Sequence, residues 1–170
     1  GLNPVVHTWS LSVEEQFYIF FPFFLIFLYK LKIKKIPIIL TIIFFFSLFI
    51  SEYFLNSKPV AVFFLSPFRF WELLAGVLLA FISMPDIKNR LLREILMFIG
   101  LIAMLYPCFS FSNFTEFPGT NALLPVLGAV IIINFGKKEN SFVRSILNLS
   151  PIVYIGLISY SLYLWHWPIV

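Results

Sequence analysis

Long apolar runs, separated by short loops of which every second one is basic, constrain this chain more than any other feature. A helix needs about 20 mostly apolar residues to cross a bilayer, and about six stretches approach that length. They run from Leu11 to Tyr29, Ile36 to Phe54, Val60 to Ile82, Ile95 to Phe111, Ala122 to Phe135 and Pro151 to Val170. The fifth is the shortest. Lys30, Lys32, Lys34 and Lys35 follow the first run, Lys88, Arg90 and Arg93 the third, and Lys137, Lys138 and Arg144 the fifth. These loops hold ten of the 12 Lys and Arg residues. The positive-inside rule puts all three on the cytoplasmic side. One helix missed or invented would scramble this alternation, so the charge pattern supports the count. The expected fold is all-α: a polytopic transmembrane helix bundle of about six spans, forming one membrane domain over 1–170 with no soluble domain.

Composition agrees. The chain is 61% hydrophobic and 12% charged, against roughly 45–50% and about 25% in soluble domains. A soluble core of this size could not bury so much apolar surface. The net charge of +4 would favour nucleic acid in a soluble protein, but here the bases sit in short loops, where orientation explains them, and nucleic acid is not an expected partner. Cys108 stands alone, so no internal disulfide is possible. No Gly-rich phosphate loop and no metal-ligand spacing appears, so no metal is expected.

The same orientation gathers the unusual polar residues toward the outer half. The string His7-Thr8-Trp9-Ser10-Leu11-Ser12-Val13-Glu14-Glu15-Gln16-Phe17-Tyr18 enters the first span from outside. Ser12 and Glu15 fit a capping box, which would make this only a helix start. Alternatively, a carboxylate in a low-dielectric vestibule becomes a usable base near neutral pH. Glu14 and Tyr18 share a helical face, and Glu15 points away by about 100°. In the third span Arg69 and Glu72 are spaced to pair along one face, at a depth where ionisable residues are functional candidates. Gly76 and Ala75, just beyond, would permit close helix contact. The last span carries Ser159-Tyr160-Ser161-Leu162-Tyr163-Leu164-Trp165-His166-Trp167-Pro168. Its aromatics suit the interfacial belt, and His166 is a candidate for binding or proton transfer.

Together, in this order, the three strings resemble the acyltransferase 3 family of bacterial membrane O-acyltransferases, nearest the subgroup that acetylates O-antigen and related envelope sugars of the lipopolysaccharide type. The first and last strings are long and specific matches; Arg69-x-x-Glu72-Leu73 is shorter. The resemblance implies a transferase of the cell inner membrane. It takes an acyl group, usually acetyl, from cytoplasmic acyl-CoA and delivers it to a hydroxyl of an envelope polysaccharide on the outer side. It casts Glu14 and His7 as catalytic residues, Arg69 and Glu72 as supporting substrate-binding residues, and His166 as lining the acceptor side. Residues near His7 and Val170 would then face the periplasm.

The chain also departs from the family pattern. The family's first spans bear an Arg and a His in the first helix, a Phe-rich segment ending near Ser-Gly-Phe, and a basic Arg motif, and none of these occurs here. The resemblance is therefore to the second half of the membrane domain. The expectation is that the chain alone does not transfer acyl groups and that a missing N-terminal half is a partner. An inactive remnant of a split gene and a transporter-like segment are the competing expectations. Discontinuous helices or repeat symmetry would favour the transporter.

Overall fold

A computed structural model describes residues 9–82, 87–112, 118–137 and 141–169, with side chains described from 11 to 165 within those ranges. Every regular element among them is helical. They are α1 (Trp9–Lys30), α2 (Ile36–Leu55), α3 (Pro59–Phe64), α4 (Phe70–Phe81), α5 (Arg90–Ser110), α6 (Leu123–Phe135), α7 (Phe142–Leu147) and α8 (Ser150–Ile169). α1, α2 and α5 are long and apolar enough to cross a membrane. α4, α6 and α8 are shorter apolar helices. The six apolar runs thus fold as helices, and the all-α membrane bundle holds.

The third run differs from expectation. It is not one helix from Val60 to Ile82 but α3, a 3-10 turn at Ser66–Phe68, and α4. The cause is local. Proline has no N–H to donate. Pro67 is the second residue of the 3-10 turn, where it cannot extend the hydrogen-bond ladder of α3, and Leu65, which precedes the turn, is extended at φ −95 and ψ 127. The freed polar groups find partners in α2. The Ser47 hydroxyl donates to the Pro67 carbonyl and accepts from the Trp71 N–H at 3.2 Å. Broken backbone at membrane depth is tolerated only where protein satisfies it, as here.

Two packing centres hold the bundle. In one, α1, α2 and α4 bury Phe17, Leu28, Ile36, Leu40 and Leu74. In the other, α5 and α6 make the most extensive helix contact. There Gly100 and Gly128 face each other so closely that a Cβ on Gly128 would lie 2.7 Å from the Gly100 carbonyl oxygen. This is the close small-residue crossing of membrane helices. The sequence placed that role on Gly76, but a Cβ there would meet nothing within 4 Å.

The Glu52 carboxylate, near the end of α2, accepts from the Thr120 N–H just before α6 at 2.8 Å. Leu28 and Ile36 belong to the buried cluster of α1, α2 and α4, and Ile33 and Phe81 pack against that cluster. Lys32 takes a left-handed backbone, φ 55. Ile33 N–H bonds the Leu28 carbonyl at 3.2 Å and Lys32 N–H the Tyr29 carbonyl at 2.9 Å, which closes α1 as a Schellman motif. Glu94 of α5 caps α7 through the Phe142 N–H at 3.1 Å and the Ser141 hydroxyl at 3.2 Å.

Candidate functional site

α1 carries the first polar string as uninterrupted helix. Its start at Trp9 lies upstream of Ser12, so Ser12 is not an N-cap and the capping-box expectation fails. The Ser12 hydroxyl instead accepts from the Gln16 amide one turn on, at 3.3 Å. Val13 and Phe17 face the core, and Glu14, Glu15 and Tyr18 are exposed. The closed vestibule expected around Glu14 is therefore not formed by the described residues.

What Glu14 does border is an open cleft. Leu11 and Glu14 of α1 and Ser159, Tyr160 and Tyr163 of α8 line a cavity of about 310 Å³. The first and last strings of the sequence thus meet, 145 positions apart at Glu14 and Ser159. They meet because the helices are apposed end to start, the first turns of α1 against the later turns of α8. Along the rest of its described length α8 is largely exposed, with Tyr154, Ile155 and Leu157 on its surface. In the cleft the Ser159 hydroxyl donates to the Gly156 carbonyl at 2.7 Å, so its proton is committed and its oxygen is left as an acceptor. The backbone of α8 carries His166 one turn beyond Tyr163; its side chain, like the whole of His7, lies outside the described residues.

The second string sits on a different wall. Arg69 follows the 3-10 turn and precedes α4, rather than lying within a continuous span. Its Nε donates to Glu72 Oε1 at 3.0 Å and its Nη2 to Oε2 at 2.7 Å. Both side chains are mostly buried, 16% and 18% exposed, so the pairing satisfies each charge where water is scarce. The intrahelical salt bridge read from the sequence is present. Arg69 and Glu72 do not line the Glu14 cleft. They are tied to α1 by another route: the Ser66 hydroxyl, in the 3-10 turn, donates to Gln16 Oε1. Gln16 is the residue that sequence reasoning overlooked. It stood in the quoted string, but an amide between two glutamates and an aromatic pair gives no signal of a partner 50 positions away.

No group of three or more His, Cys, Asp and Glu side chains is placed to hold a metal among the described residues.

The comparisons with known proteins decide the family. The acyltransferase 3 profile, described as an acyltransferase domain, matches residues 1–170. The chain belongs to the acyltransferase 3 family. O-acetyltransferase OatA of Staphylococcus aureus is 31% identical over 181 residues, covering 100% of this chain and 30% of the relative. Peptidoglycan O-acetyltransferase OatA of Listeria monocytogenes is 29% identical, over 99% of this chain and 29% of the relative. A Haemophilus influenzae protein without an assigned function is 34% identical over 149 residues, 81% of this chain and 61% of that protein. The chain thus spans less than a third of the two named relatives. No solved structure matches.

Proposed function

We propose that this chain contributes the acceptor side of a membrane O-acyltransferase, which moves an acetyl-sized acyl group from cytoplasmic acyl-CoA to a hydroxyl of an envelope glycan. The observation that carries this reading is the shared cleft of Glu14, Ser159, Tyr160 and Tyr163, assembled from the two strings most specific to the family. Relatives named O-acetyltransferase support the reaction class. The name of the Listeria relative points the acceptor toward peptidoglycan-type amino sugar, in place of the O-antigen expected from the sequence.

The transfer is an acyl substitution. The acceptor oxygen forms a bond to the acyl carbonyl carbon, the carbon–sulfur bond of the thioester breaks, and the hydroxyl proton passes through a base to the departing thiolate. In this reading Glu14 is that base, exposed to the cleft so that a sugar hydroxyl can reach it. In this reading the Tyr160 hydroxyl donates to the developing oxyanion. His7, which precedes α1 in the sequence, and His166, carried by α8, are further candidate site groups. Arg69 and Glu72 brace the wall behind α1 and bind substrate through its position. The basic segments lie cytoplasmic, in the inner membrane of a bacterial cell, with His7 and Val170 on the periplasmic side.

The experiment is acetyl transfer by the complete membrane protein carrying Glu14→Gln, with Glu15→Gln as its neighbour control. Loss in the first and retention in the second supports the reading. Equal activity in both removes Glu14 as base.

A further inference from the structure

A second cavity, of about 260 Å³, lies where α6 ends and α7 packs beside it. Met97 of α5, Ile133 of α6 and Leu147 of α7 give it apolar walls. Lys137, Arg144 and Asn148 supply its polar groups. The 13 residues of α6 set it about 20 Å from the Glu52–Thr120 contact at the start of that helix. The cavity is thus near one end of the membrane helices, not at their middle.

Its cations are held in place. Arg144 Nη1 donates to the Lys137 carbonyl at 3.3 Å, which fastens the turn after α6 to α7. A guanidinium carries five N–H donors, so one bond to a neutral carbonyl does not exhaust it. Its planar fork matches a phosphate, and a lysine ammonium adds a point charge. The Asn148 amide brings two more N–H donors. Beside these groups the apolar wall continues outward, since Ile133 is 56% exposed on a helix that the membrane surrounds. Orienting the chain needs only positive charge in this loop. It does not call for a guanidinium fastened at the side of a half-apolar cavity.

We infer that this cavity holds the headgroup phosphate of an anionic phospholipid. Lys137 and Arg144 meet the phosphate, Asn148 donates to its oxygens, and the start of an acyl chain lies along Ile133 and Leu147. Basic pockets between membrane helices suit such headgroups. A free phosphate would satisfy the cations but leave the apolar wall uncovered; a phospholipid matches both halves. Bound there, it bridges α5, α6 and α7. The inference is independent of the Glu14 cleft and of the reaction assigned to it.

The test is binding of phosphatidylglycerol to the complete protein in detergent containing phosphatidylcholine, titrated by native mass spectrometry. Lys137→Gln, at an exposed position outside the helices, weakens phosphatidylglycerol about five-fold, and Lys137→Gln with Arg144→Gln about 25-fold, the scale of one and two cations at a membrane phosphate. Lys34→Gln with Lys35→Gln removes two exposed charges from the loop after α1 and leaves the affinity near the parent's. Phosphatidylcholine binding is the same in all four proteins. Glycerol 3-phosphate and coenzyme A, at the lipid's own concentration, do not displace it. Equal losses from both double variants would mean a diffuse surface charge and overturn the inference, as would unchanged binding by Lys137→Gln with Arg144→Gln. Displacement by glycerol 3-phosphate or by coenzyme A would make the cavity a site for a soluble phosphate and overturn it as well.

Discussion

Gln16 and Ser66 are joined side chain to side chain, the serine hydroxyl donating to the glutamine carbonyl oxygen. One lies on α1 two residues beyond Glu14; the other opens the 3-10 turn that leads to Arg69. This hydrogen bond links the glutamate-bearing helix to the break in the third span. Gln16 also donates to Ser12 at 3.3 Å, so its amide has a partner at both ends.

Gln16→Leu removes both bonds and leaves the hydroxyl of the buried Ser66 without its acceptor. The expected loss is about 1 kcal/mol of stability, together with a larger fall in transfer, because α1 loses its register against the turn. Ser66→Ala, which removes the partner as well, should be milder in stability. Thermal unfolding in detergent and transfer assays on the same preparations separate the two effects.

The Arg69–Glu72 pair predicts an asymmetric response. Glu72→Gln removes the opposite charge beside a mostly buried guanidinium and costs on the order of 3 kcal/mol, whereas Arg69→Met with Glu72→Met costs less than either single change. A double-mutant cycle on unfolding midpoints measures this directly. Additive losses would show that the two side chains act independently.

The Gly100–Gly128 crossing sets a third expectation. Gly128→Ala drives a Cβ against backbone at 2.7 Å, which no rotamer change relieves, and should part α5 from α6. Gly76→Ala meets open space and should be neutral or slightly stabilising, since alanine is the better helix former. Lower melting for the first with an unchanged or higher value for the second is the expected pattern. Equal effects would count against the crossing.

These glycines mark the limit of what the sequence discloses. Run length and loop charge defined the membrane helices within a few residues, because solvation by lipid acts on each segment separately. α1, α2, α6 and α8 lie close to their expected bounds. Which glycine meets which depends on how helices far apart in sequence rotate against one another, and no local pattern encodes that. The break between α3 and α4 at Pro67 required Ser47 of α2 to receive the freed backbone, a contact that no local pattern announces. The pairing of Arg69 with Glu72 was legible because it is local. The meeting of Glu14 with Tyr160 and Tyr163 was legible only as a shared side of the membrane, not as a shared cleft.

Cys108 offers a direct probe of the orientation. It is exposed near the end of α5 and is the one cysteine of the chain. The basic-loop pattern puts it toward the outside. A membrane-impermeant maleimide should label Cys108 in intact cells once the outer envelope is permeabilised, while a Cys108→Ser variant bearing Lys34→Cys should label only after lysis. The reverse pattern would invert the bundle.

The most direct test of the account is acetyl transfer to a glycan acceptor by the complete membrane enzyme carrying Glu14→Gln, beside Glu15→Gln, at matched levels in the membrane. The account predicts at least roughly a hundred-fold loss for Glu14→Gln, the scale of a missing general base, and near-parent activity for Glu15→Gln. Near-parent transfer by Glu14→Gln would contradict it.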